Sequence, residues 1–411
     1  MNARRPGRGH AAALIAATLL AGCMFGPDYK RPDPGLPAGY ESGTAASASP
    51  AVERGWWKLF EDDTLNTLID QALAGNANIA LAAARIDQAD AFAREVDSAW
   101  LPETNVNLGA TRAHASAAIP GRSATAPILS NTLTGTLSTS FELDFWGKLR
   151  RAGESARAQA LASRAARDIV ELTLVSQVTS AYLTLRSLDA QIAVSRETGS
   201  AREEALRIVR SRADRGLSSD LDLQQALGAA AAIRAQTADL ERQRAAAEHQ
   251  LALLTGSLDL QVAAADLRTL PAPPLPPAGL PSALLDARPD LRQAEFQLHS
   301  ANAQIGVAKG ALFPTIMLSA AYGSQSPALA SLFSSTSSIW NLGLALTYPI
   351  FDSGKRQARL DQATAQQKQA LATYIQAVRT AFTEVRDALN AVQQYAQSAK
   401  ELETQMGAAQ R

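Results

Sequence analysis

The chain repeats itself. A run beginning near Asn76 and a run beginning near Arg288 share one order: helix, proline, strand, loop, strand, Gly-Lys, long helix. Such repetition constrains a fold more than any local motif, because each copy must bury its apolar face against a partner of matching shape. The anchors are Leu101-Pro102 with Phe313-Pro314, Gly147-Lys148 with Gly354-Lys355, and Ala181-Tyr182 with Ala381-Phe382, spaced 212, 207 and 200 residues apart. The shrinking offset places five extra residues in the first copy before its Gly-Lys and seven after it. Seven residues make two helical turns, so the longer helix keeps its apolar face.

Each copy carries one run that alternates with period two, the pattern of a strand with two unlike faces. From Leu133 to Leu143 the sequence sets Leu133, Leu137 and Phe141 against Thr134, Thr136, Ser138 and Ser140. The second copy sets Trp340, Leu342, Leu344, Leu346 and Tyr348 against Asn341, Gly343, Ala345 and Thr347. Runs of about ten residues suit a tilted strand crossing a bilayer. Further strands are expected over 102–111 and 314–323, starting at Pro102 and Pro314, which end the preceding helices. Ser-, Ala- and Pro-rich loops, 112–132 and 324–338, complete two hairpins. Phe141, Trp340, Leu342, Leu344 and Tyr348 are therefore expected to face lipid; the competing arrangement is a soluble sheet, for which the sequence offers no cover. Four strands cannot close a barrel, and open edges are not tolerated in lipid, so strands pooled from several chains are required.

Gly147 and Gly354 precede long helical stretches. The first is expected to continue to Gly199 and on to Asp214; in the second, apolar residues from Leu371 to Met406 recur at a mean spacing of about 3.5, the period of a left-handed coiled coil. A second strip, Ile375, Phe382, Leu389 and Ala396, calls for neighbours on both sides. Between Arg212 and Asp222 the first helix breaks and another starts: Gly216 suits a left-handed cap, and Ser219 with Asp222 suits a capping pair. That makes a helical-hairpin tip presenting Arg212, Asp214, Arg215, Gly216, Leu217, Asp220 and Asp222. For any single one of these residues, ordinary capping and solvated charge are the simpler account. Arg288-Pro289-Asp290 likewise reads as a helix start.

The N-terminus places Arg4, Arg5 and Arg8 before an apolar run, Ala11 to Ala21, and ends it in Leu20-Ala21-Gly22-Cys23. The run is too short to span a bilayer, so 1–22 reads as a signal peptide and Cys23, the one cysteine of the chain, as a lipidation site of the bacterial lipobox type. An ordinary export signal with a chance cysteine is the alternative. Met24 in place of Asp then implies release to the outer membrane, by similarity to bacterial lipoproteins. Residues 23–55, rich in Pro, Gly, Ser and Ala, read as an extended tether with little structure of its own.

Lys+Arg and Asp+Glu number 39 each, giving no basic stripe and excluding a nucleic-acid surface. The four histidines lack metal-ligand spacing; no phosphate loop or nucleophile motif is present, so no metal, cofactor or enzymatic activity is expected.

Several blocks in fixed order resemble the TolC-like outer membrane factors, in their OprM/NodT-type lipoprotein branch of tripartite RND efflux systems. They are Trp57-Lys58-Leu59-Phe60 with Leu65 and Leu68, Phe141 through Arg151, Arg215 through Leu223, and Arg288-Pro289-Asp290-Leu291 with Ala294-Glu295, Ile305-Gly306 and Phe313-Pro314. The fold expected is mainly α with β: long coiled-coil hairpins forming an α-barrel, plus four strands per protomer of a 12-stranded trimeric β-barrel. The resemblance implies a homotrimer in the outer membrane extending into the periplasm, a passive exit duct for small toxic compounds. It also implies a periplasmic adaptor (membrane fusion protein) and an inner-membrane RND pump as partners, with a gating or docking role for the tip. A secretion-type channel and a lipid-anchored periplasmic scaffold are the alternatives. The expected layout is 56–256 as first repeat, 257–287 as Pro-rich linker and short helix, and 288–411 as second repeat. That second repeat is expected to stop before its own tip, which would leave the second tip's gate residues unassigned and impair assembly.

Overall fold

A computed structural model describes residues 24–37, 39, 55–116, 128–271 and 284–409. The helices are α1 (Asp63–Gly75), α2 (Ala77–Ser98), α3 (Lys148–Ala213), α4 (Asp220–Thr255), α5 (Leu284–Ala287), α6 (Pro289–Gly310) and α7 (Lys355–Ala409). The strands are β1 (Glu103–His114), β2 (Leu129–Glu142), β3 (Thr315–Ser326) and β4 (Ser338–Thr347). Compact packing divides the chain into two units. One draws on Met1–Pro34, Asp87–Ala162 and Gln293–Ala377; the other draws on Gly35–Ile86, Ser163–Arg292 and Val378–Arg411.

The first unit holds a four-stranded antiparallel sheet in the order β1-β2-β3-β4. Its central pairing, β2 with β3, joins the two copies, with Leu137 opposite Tyr322 and Phe141 opposite Leu318. The sheet extends beyond the alternating runs. β1 continues through Arg112 to His114 and β2 starts at Leu129, because Arg112, Ala113 and His114 pair with Asn131, Ser130 and Leu129. Similarly β3 reaches Ser326, so the loops are shorter than the 112–132 and 324–338 expected. Side-chain alternation lapses in these Ser- and Asn-bearing stretches, whereas ladder hydrogen bonds are made by the main chain. Small residues of α3 and α6, Ala156, Ala158, Ala160, Ala162 and Ala303, are buried in this unit.

The described part of the N-terminal stretch is pinned in place. Residues 24–34 carry no helix or strand, but they are held down rather than loose. Phe25 stacks on Phe313 with ring centroids 4.5 Å apart, and Phe313 stacks on Trp146 at 4.9 Å. The Asn302 amide donates to the Pro27 carbonyl at 2.8 Å, and the Arg31 guanidinium makes two 2.7 Å bonds to Glu295. Gly26 approaches Gly306 so closely that a Cβ on it would lie 2.6 Å from the Gly306 Cα.

In the second unit Leu65, Leu68, Ile69 and Ala72 of α1 pack with Leu174, Val178, Tyr182, Leu185 and Ile192 of α3 and with Leu240, Ala247 and Leu251 of α4. Asp62 caps α1 by accepting from the Leu65 N–H and, with its other oxygen, from the Tyr182 hydroxyl. Arg186 donates to that hydroxyl at 2.7 Å and lies over the Tyr182 ring. The copy repeats the stack, with Arg386 over Phe382. Asp189 accepts from Arg244 at 2.6 Å, and Arg186 and Arg244 each donate onward to the carbonyls of Ala263 and Val262. A short irregular stretch is thereby fixed by buried ion pairs.

Candidate functional site

The sheet's two faces differ in chemistry. The register puts Val106, Leu108, Leu133, Leu137, Phe141, Leu318, Tyr322, Trp340, Leu342 and Leu344 on one face. On the other lie Asn105, Asn107, Thr134, Thr136, Ser138, Ser140, Ser319 and Asn341. The apolar face is bare in the protomer: Trp340, Leu342 and Leu344 are 76%, 69% and 68% exposed, Tyr348 just beyond β4 is exposed, and Phe141 is half-buried. Trp340 stands opposite Tyr322 at one end of the face, and Tyr348 lies at the other. Eight residues separate Trp340 from Tyr348, about 26 Å of strand, or roughly 20 Å of depth at a tilt near 40°. This resembles the apolar band, flanked by aromatics, of outer-membrane barrels. β1 and β4 each have one unpaired side, so the sheet has two open edges.

Each hairpin passes into a long helix through a glycine with positive φ, +78° at Gly147 and +81° at Gly354. Beside each sits an acid that the sequence reading passed over. Asp144 accepts from the Leu149 and Arg150 N–H groups and pairs with the Arg150 guanidinium, while Asp352 accepts from the Gly354 N–H and pairs with Arg356 at 2.8 Å. The signal was available: both copies show an Asp, then Gly-Lys, then an Arg. Pro102 precedes β1, and the Pro314 carbonyl accepts from the Trp146 indole at 2.7 Å. Arg151 was likewise missed as a site residue: almost fully buried, it pairs with Asp28 at 2.6 Å and Glu154 at 2.7 Å.

The turn between α3 and α4 brings Arg212, Asp214, Arg215, Gly216, Leu217, Asp220 and Asp222 to one place, all exposed. Gly216 has φ +73°, and the Leu217 N–H closes on the Arg212 carbonyl at 2.8 Å, a Schellman-type ending. Ser219 and Asp222 form a reciprocal capping box. The Ser219 hydroxyl, the Ser219 N–H and the Ser218 hydroxyl all donate to Asp222 and hold its carboxyl below the ordinary aspartate value, with Arg212 adding a smaller pull. Leu217 and Leu221 expose about two-thirds of their surface beside these charges. Cys23 lies outside the described residues. Among the described residues no cluster of His, Cys, Asp and Glu is suited to a metal, and no helix is long and apolar enough to cross a membrane.

A two-faced sheet with open edges, running into helices of 66 and 55 residues, defines a protomer of a multi-chain membrane channel. The chain belongs to the outer membrane efflux protein family, whose model matches residues 68–257 and 280–411. It is 35% identical over 360 residues to the cation efflux system protein CusC of Escherichia coli, covering 86% of this chain and 76% of the relative. It is 36% identical over 366 residues to the pyoverdine export outer membrane protein OpmQ of Pseudomonas aeruginosa, covering 87% and 76%. Among solved structures it resembles the open state of the Neisseria gonorrhoeae MtrE outer membrane channel, with a TM-score of 0.83 and 30% identity over 93% of this chain and 85% of that one. Proteins of this family form trimeric channels in tripartite efflux systems, a family of ducts rather than enzymes, and this chain is an efflux duct subunit of the outer membrane.

Proposed function

We propose that three copies of this chain close a twelve-stranded barrel, with the apolar faces toward lipid and the Ser/Thr/Asn faces toward water, and that their helices form the tunnel leading to it. The observation that carries this reading is the sheet itself, whose apolar face and two open edges are satisfied together only by lipid outside and sister strands at either side. In the same reading Phe141, Trp340, Leu342, Leu344 and Tyr348 contact lipid, and Cys23 carries the lipid anchor. The exposed tip from Arg212 to Asp222 receives a periplasmic adaptor and gates the passage, behind which an inner-membrane RND pump supplies the energy. The two relatives are named for different cargo, a cation for one and pyoverdine for the other, so the shared fold does not set cargo. Small toxic compounds chosen by the pump are the cargo proposed here.

Reconstitution of the full chain into planar bilayers tests the duct. Discrete conductance steps are expected, and neutralising Arg212, Asp214 and Arg215 together is expected to raise the open fraction. A protein that inserts but never conducts, even with those charges removed, would instead be a lipid-anchored scaffold.

A further inference from the structure

The sheet and its described loops are almost free of charge. Between Thr104 and Phe141 the described residues include one fixed charge, Arg112, and between Thr315 and Phe351 there is none. Arg112 is exposed on the apolar face, six residues along β1 from Val106. Cations on such a face are costly at mid-depth and tolerated near an interface. Here Arg112 borders a crevice of about 260 Å³, lined also by Ala110, Asn131, Leu133, Pro327 and Leu329. Of the eight residues that line it, Ala110, Arg112, Asn131 and Leu133 occupy the apolar face by register, Thr111 the other face, and Pro327, Ala328 and Leu329 the β3–β4 turn, so its strand-borne wall lies mostly on the apolar side.

Its other wall is the turn between β3 and β4, tied down by serines. The Ser326 and Ser331 hydroxyls meet at 2.5 Å, and Ser334 and Ser337 donate to the Ser331 carbonyl at 2.8 and 2.7 Å. Leu332 is tucked in, whereas Leu329 and Phe333 are 69% and 87% exposed. Leu329, held outward by the tied turn on the wall facing Arg112, and Phe333 four residues on match, together with that cation, an amphiphile with an anionic head and hydrocarbon tails.

We infer that this crevice binds the phosphate-bearing head of an anionic membrane lipid, with Arg112 and Asn131 on the phosphate and Leu329 and Phe333 against the acyl chains. The inference rests on the proposed lipid-facing role of the apolar face and is continuous with it. It adds a specific lipid contact at one end of the barrel.

Native mass spectrometry of the detergent-purified full chain, titrated with bis-phosphorylated lipid A, tests it. Wild-type protein is expected to retain the lipid, Arg112→Lys to retain most of it, and Arg112→Ala to bind about tenfold more weakly, the loss of one charge-assisted contact. Phe333→Ser is expected to weaken binding while keeping the preference for phosphorylated over dephosphorylated lipid. Inorganic phosphate at millimolar concentration is expected not to compete. Equal binding by wild type and Arg112→Ala, equal retention of dephosphorylated lipid by wild type, or full displacement by inorganic phosphate each overturns the site. Conductance measured on the same wild-type preparation separates the two ideas. A conducting protein without the lipid preference sinks this inference alone; one that conducts neither as wild type nor with Arg212, Asp214 and Arg215 neutralised sinks the duct.

Discussion

At the residue scale, a few buried charges do work that composition hides. Arg151 is enclosed while Asp28 is open to water and Glu154 partly so, which means that its removal leaves acids able to resolvate. Arg151→Ala is therefore expected to cost about 2 kcal/mol, mostly in lost packing, and to free residues 24–34; limited proteolysis there checks it. Tyr182 has its phenol pushed up to about 12, by burial first and by the Asp62 contact second. Tyr182→Phe should cost about 1–2 kcal/mol in urea unfolding, since Asp62 and Arg186 each lose a partner. Asp222 works in the opposite sense. With its pKa lowered in the folded tip, its contribution is complete above the ordinary aspartate value near 3.9 and disappears as pH falls through the folded value. Amide exchange in the first turn of α4 should thus accelerate as acidity passes below roughly pH 4, and Asp222→Asn should abolish that acid step. The capping pair was visible in the sequence because its members are three residues apart. The grip of Glu295 on Tyr29 was not, for those residues lie 266 positions apart and no local pattern ties them.

At the scale of elements, the strands were legible because burial on one side imposes a period of two on the sequence. Their ends were not, since β1 and β2 continue pairing after the alternation lapses. The helix break at Gly216 could be read from glycine and capping chemistry, as α3 ends at Ala213 and α4 starts at Asp220. What the pattern could not supply was the partner of each helical strip. In α7 Tyr374, Val378 and Ala381 are buried, yet Val392, Tyr395, Leu402 and Met406 continue the same 3.5-residue spacing while exposed in the protomer. The proposed lipid face carries its own test. Leu344→Arg should destabilise the folded barrel by about 2–4 kcal/mol, as for a cation near the bilayer midplane, whereas Asn341→Arg on the opposite face should be nearly neutral. Urea titrations of vesicle-inserted protein would compare them; equal costs would mean that the faces are wrongly assigned.

At the scale of the whole molecule, the open sides of β1 and β4 must find each other across copies if the barrel closes. One cysteine at Asn107 together with one at Asn341, in a background with Cys23 replaced, should yield covalently linked oligomers on mild oxidation in the membrane, scanned over neighbouring positions to find the matching register. Monomers alone at every position tried would argue against edge-to-edge closure. The chemistry of the sheet could be read from one chain, but the number of copies could not, because alternation describes a face and is silent on how many such faces complete a ring. The seam between β2 and β3 has a further consequence. It pairs Leu137 with Tyr322, far apart along the polypeptide, so a ribosome releases the early hairpin long before its mate exists. Until then the nascent hairpin presents an apolar surface to the aqueous compartment, which makes the unpaired first half the aggregation-exposed stage of folding.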